Sequence, residues 1–178
     1  MLRAITLLVA LLTFIPTGFA QSLDEIDKRD AAAVDAWLKT PLTIRRAVFV
    51  SEQPDGFGMY TPRTSSTFKP GEKLLIYAEP VGYGWKDVGN GLFEFGFTVD
   101  FLIKSPDGKI LTGKDAFAKV AKQSRFRNRE FDVSLNLDVS GAEPGDYVLE
   151  YKLHDIASDK SVSFDLPFKI VKDNLSSR

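Results

Sequence analysis

The chain of 178 residues has no cysteine and a single histidine, His154. Without thiols there is no disulfide, no thiolate metal site and no lipid attached through a cysteine. One histidine cannot furnish the ligands of a tetrahedral zinc or copper centre. Calcium needs only oxygen ligands, but the acidic residues are dispersed and no loop repeats aspartate at alternate positions. No metal and no cofactor is therefore expected. A surplus of charge is missing too: 23 basic residues face 24 acidic ones, which gives no reason to expect nucleic acid as a partner. Beyond residue 20, no apolar run approaches the roughly 20 residues that cross a bilayer.

What is present begins with an address. Met1-Leu2-Arg3 supplies a positive start, residues 4–15 are apolar, and Gly18-Phe19-Ala20 places small side chains where a signal peptidase reads. This is the layout of a secretory signal peptide, too short for an ordinary membrane span. Cleavage near Ala20 would leave a chain starting at Gln21, periplasmic or secreted, with no transmembrane segment. Arg3 departs with the leader, so the remaining 22 basic and 24 acidic residues carry a formal −2. An exported chain without disulfides must be held by its core alone, which favours a bacterial envelope. The remaining length is enough for one domain with a sizeable core.

Residues 21–41 read as an N-terminal amphipathic helix. Ser22 and Glu25 have capping-box spacing, Leu23, Ile26, Val34, Trp37 and Leu38 recur at helical intervals, and Pro41 stops the run. Those apolar positions need a surface to cover, so the helix is expected to pack on the domain. From residue 42 the period changes to two. Residues 93–103, 131–139, 147–153 and 162–170 alternate apolar and polar side chains, as in antiparallel sheet with one face in water. Residues 43–50, 72–79 and 109–112 bring the count to about seven strands. Pro106-Asp107-Gly108 and Pro144-Gly145-Asp146 are turn chemistry, and Pro167 should make the last strand an edge or a bulge. Only residues 114–123 could supply a helical crossover, and 51–71 form one long irregular connection. The expected fold is all-β: an antiparallel two-layer sandwich over 42–172 with one N-terminal helix, followed by a tail at 173–178.

The segment Glu143-Pro144-Gly145-Asp146-Tyr147-Val148-Leu149 resembles the corner entering the penultimate strand of immunoglobulin-like and fibronectin-like sandwiches. The resemblance implies that Tyr147 hydrogen-bonds back across the turn, with Gly145 as the turn residue. It covers residues 140–171 specifically and is generic from 72 to 139. A cysteine pair is absent, and Trp85 falls in a loop instead of at the core tryptophan position. The chain as a whole resembles small exported proteins of Gram-negative bacteria without assigned activity, which implies fold and location but no catalytic residue.

Two features stand out as candidate sites. The first is the loop of residues 81–91, where Tyr83 and Trp85 are flanked by glycines. Such rings either anchor a partner protein or envelope glycan, or fold over one end of the sandwich and close its core. The second lies at residues 114–129, where six basic residues oppose Asp115 alone. There Arg125, Arg127 and Arg129 alternate and could share one strand face, either solvated or presented to an anionic partner such as a headgroup, an acidic glycan or the acidic first helix. His154 falls on the outward face of its strand, and no motif supplies a nucleophile for it. The expectation is a non-enzymatic binding or structural module working through its end loops. The alternatives are an accessory subunit docking through the helix, or a small-molecule or lipid carrier if the interior is hollow.

Overall fold

The computed structural model describes residues 22–172; the expected signal peptide at 1–20, the expected new terminus at Gln21 and the tail at 173–178 lie outside them. Helix α1 (Leu23–Lys39) starts where Ser22 accepts a hydrogen bond from the Glu25 amide at 3.3 Å. Half of the capping box forms; the Glu25 carboxylate pairs with Arg29 at 2.9 Å. Thr40 closes the helix by donating to the Trp37 and Ala36 carbonyls, and Pro41 follows. Of the five apolar helix positions only Val34 is buried and Trp37 is half-buried, whereas Leu23, Ile26 and Leu38 face water. The helix packs on the domain by its C-terminal half.

Nine strands follow among the described residues. Strands β1 (Thr43–Phe49), β3 (Leu74–Val81) and β7 (Val133–Leu137) form an antiparallel three-stranded sheet in the order β1-β3-β7. The larger sheet joins β2 (Thr67–Phe68), β9 (Ser161–Ile170), β8 (Gly145–Asp155), β5 (Phe93–Lys104), β4 (Lys86–Asp87) and β6 (Ile110–Ser124). β6 runs along one edge of β5, while β8 and then β4 take the other. This sheet curls into a half-barrel. It is mixed, because β2 pairs with β9 in parallel.

The expected alternations place the core. Phe131, Val133, Leu135, Leu137 and Val139 are all buried, as are Phe95, Phe97, Val99, Phe101 and Ile103 across from them. Pro167 sits where its missing donor is harmless. The amides of Lys169 and Val171 point outward to β2, so the two-residue period puts the Pro167 nitrogen on that same outer edge, before β2 begins.

Three expectations are corrected. Residues 114–123 form no crossover helix but continue the strand begun at Ile110, because pairing with β5 overrides a local content of alanine and lysine that favours helix. A bulge hides the strand period there: Ala116 takes φ +47° and the register slips between Val99 and Phe101. Residues 51–71 are not wholly irregular; Val50 bridges Pro62, Gly56 bridges Met59, and β2 lies within the segment. Gly145 is no turn residue but the first residue of β8, paired with Ile170. The turn before it lies at Ser140-Gly141, where Gly141 has φ +86°.

Tyr147 Oη donates to the Glu143 carbonyl at 2.6 Å, and its ring stacks on Phe168. Tyr151, two residues on, is fully buried, its hydroxyl has no partner, and burial raises its pKa. The two phenols should therefore respond oppositely to loss of their hydroxyls. Tyr147→Phe is expected to lower stability by about 0.5–1.5 kcal/mol, whereas Tyr151→Phe should leave it unchanged or raise it by about 1 kcal/mol. Urea denaturation of the two variants beside the parent measures both.

Candidate binding surface

The loop after β3 is locked into the interior, so Tyr83 is not available as a surface anchor. Its ring is fully buried and meets Phe95, Phe97 and Phe131 at centroid distances of 5.9 Å. Its hydroxyl donates to the Asn128 carbonyl at 2.9 Å, and burial raises its pKa. Trp85 is half-buried, and its Nε1 donates to the same carbonyl at 3.0 Å. Trp37 of α1 closes over both rings and donates from Nε1 to the Tyr83 carbonyl at 2.8 Å. Of the two alternatives for this loop, Tyr83 takes the core-closing one, with Trp85 half-buried beside it. The rings are large enough to need cover, and a helix more than forty residues away in sequence supplies it.

Two further contacts pin the loop. Gly82 has φ +85° and lies so close to the preceding segment that a Cβ would stand 2.6 Å from the Pro41 carbonyl oxygen. Lys160 Nζ donates to the carbonyls of Leu38, Thr40 and Gly82, each at 2.8 Å. The ammonium thus serves carbonyls at and beyond the helix C-terminus, where a cation is favourable. The rings of Tyr83, Phe95, Phe97 and Phe131 fill the space between the sheets at this end.

The arginines do not share a strand face either. β6 ends at Ser124, and residues 125–132 run without regular structure toward β7. Arg125 donates to the Asn90 carbonyl, Arg127 lies over the Phe93 ring at 4.6 Å, and Arg129 Nη2 meets Asp30 of α1 at 2.9 Å. Arg129 Nη1 is buried with no acceptor. Of the anionic partners considered, the acidic first helix is the one in contact.

That meeting of helix and loop creates a groove of about 550 Å³, lined by Ile26, Asp27 and Asp30 on one side and by residues 126–130 on the other. Two uncovered apolar side chains stand among its charged lining, Phe126 at 76% exposed and Ile26 at 53%, and Leu23, one turn earlier on the helix, is 71% exposed outside the groove. Neither Phe126 nor the outward role of Leu23 and Ile26 was legible from periodicity. The available signal was a lone phenylalanine between two arginines in a charged stretch.

On the outer face of the larger sheet, His154 has a partner that sequence spacing did not reveal. Its Nε2 lies 2.6 Å from Asp100 Oδ2 on β5, and Asp100 Oδ1 accepts from the Ala116 amide of the β6 bulge at 2.8 Å. Lys104 and Glu150 pair nearby. Burial alone would raise the Asp100 carboxyl, but the Ala116 amide, His154 and Lys152 outweigh it and hold it below the usual carboxylate range. A depressed carboxyl stabilises the fold above its unfolded pKa of about 4 and loses that contribution as pH falls through the lowered value. Asp100→Asn is accordingly expected to melt below the parent at pH 7, with the gap closing as pH falls below about 4. Calorimetry across that range tests the sign.

Among the described residues, no three histidine, aspartate or glutamate side chains converge as metal ligands, and no helix is long and apolar enough to cross a membrane. No protein-family model matches the chain, and no curated protein matches its sequence.

Proposed function

We infer that this chain is a non-enzymatic, exported protein of the immunoglobulin-like sandwich type that binds another envelope protein through the groove between α1 and residues 126–130. One observation carries the reading: two large apolar side chains, Ile26 and Phe126, stand uncovered in a groove with charges of both signs, and the exposed Leu23 lies one helical turn from Ile26. Uncovered apolar side chains rimmed by polar groups mark association surfaces. The tyrosine corner at Tyr147 supports the immunoglobulin-like assignment. The leader at residues 1–20 supports export to the periplasm or medium.

Other readings have less support. Glycan stacking on Tyr83 loses its platform, since that ring is interior. A lipid carrier needs a hollow interior, and interlocked rings occupy the end of the sandwich near α1. The Asp100–His154 pair lies on an open sheet face with no hydroxyl bonded to the imidazole among the described residues. Hydrolytic chemistry therefore has no nucleophile there.

A photo-reactive phenylalanine analogue placed at position 126 in the exported protein tests the groove, with the same analogue at the exposed Met59 as control. Position 126 should give a discrete protein adduct that Met59 does not. Leu23→Ser with Ile26→Ser should reduce the adduct by about tenfold or more, the effect of losing interface anchors. Equal labelling from both positions would reject the groove as the binding surface.

A further inference from the structure

The groove does not account for the longest strand of the molecule. β6 pairs with β5 along one edge, and among the described residues no strand lies along its other edge. No loop amide or carbonyl bonds to the backbone of residues 118–124 either. The other edges are shorter or partly covered. β9 presents Pro167 and is capped by β2, residues 61–63 pair with the end of β1, and β7 is five residues long. Residues 118–124 are paired to β5 in unbroken register from Ala118↔Val99 to Ser124↔Phe93. They offer about 24 Å of straight edge at 3.4 Å per residue. The bulge at Asp115-Ala116 bends the strand away at one end, and the irregular segment from Arg125 ends it at the other.

We propose that this edge takes up an extended, acidic segment of another protein by strand addition, on a face separate from the groove. Backbone pairing supplies the attraction, and the side chains define what fits. Ala118 and Val120 are half-buried at the rim of the core, so inward positions of an added strand lie against apolar surface. Lys119 stands on the outer face opposite Thr98. Among the described residues, Lys114, Lys119, Arg125 and Arg127 have no carboxylate within 4 Å. A second copy of β6 would set one basic strand beside another, and like charges on facing strands oppose pairing. The same lysines that block self-association select a strand alternating acidic and apolar residues.

The probe is a dye-labelled eight-residue peptide alternating glutamate and valine, titrated into the protein by fluorescence anisotropy and followed by hydrogen exchange. Saturable binding is expected, with slowed exchange confined to β6 amides near residues 118–124. Methylating the peptide nitrogens along one edge should weaken binding at least tenfold while its charge is unchanged. Lys114→Glu with Lys119→Glu should do the same without altering the melting temperature. Equal binding of methylated and parent peptides would reduce the site to charge alone and overturn strand addition. Protection outside β6, absence of saturable binding, or a dimer of the free protein paired through β6 would overturn it as well. Ile26→Ser should leave peptide binding intact, so failure of the groove and failure of the edge are read separately.

Discussion

Tyr83→Ala is expected to destabilise the protein by about 3–5 kcal/mol, the range for truncating a buried aromatic. In a domain of this size that lowers the melting temperature by roughly 10 °C. The ring is the hub of the aromatic cluster, meeting Trp37, Trp85, Phe95, Phe97 and Phe131 at centroid separations between 5.2 and 5.9 Å. Its removal leaves a void lined by rings on β5, on α1 and on the segments before β4 and β7, too many partners to collapse inward together. Trp37 loses its edge-on contact, so α1 should loosen at the same time. Tyr83→Phe is the control. It removes only the hydroxyl, and the Asn128 carbonyl keeps its bond from Trp85 Nε1, so the loss should stay near 1 kcal/mol. Thermal and urea melts of the two variants separate a packing role from a polar one. A Tyr83→Ala protein as stable as the parent would contradict the interior placement of this loop.

Asp155→Ala should lower stability by about 3 kcal/mol, the upper range for a hydrogen bond to a charged group. The carboxylate is buried and accepts from the Gly84 amide at 2.7 Å, the Ala157 amide at 2.9 Å and the Ser158 hydroxyl at 2.5 Å. It joins the loop after β3 to the turn between β8 and β9. That turn carries Lys160, whose ammonium holds the last carbonyls of α1. Alanine would strand the buried Gly84 amide and free the turn, so the helix C-terminus should lose protection against hydrogen exchange along with global stability. Asp155→Asn retains one acceptor oxygen and should fall between the two. Unchanged exchange at Trp37 and Lys39 in the alanine variant would mean that the carboxylate does not support the helix.

Much of this architecture could be read from residue order because water lies on one side of several strands and the core on the other. That asymmetry writes a two-residue period directly into residues 131–139 and 162–170, and the buried rows match it. Helix α1 was legible for a related reason. Ser22 caps it, Pro41 stops it, and both act within a few residues of their own backbone. The tyrosine of the corner is equally local, its bond spanning four residues to Glu143.

Where a single residue breaks the period, local pattern misleads. The bulge at Ala116 resets the alternation of β6, so a fifteen-residue strand read as a short strand followed by a helix-like segment. Other features have no local signature at all. His154 meets Asp100 only because β5 and β8 pair in one register. Arg129 meets Asp30 across 99 residues of chain, and the groove exists only where those elements converge. Residue order by itself determined the elements and their buried faces, since each depends on neighbours a few positions away. Tertiary structure alone decided that Tyr83 lies inside, that Phe126 lies outside and that, among the described residues, no strand covers the second edge of β6, because exposure is settled by what packs against a residue from elsewhere in the chain.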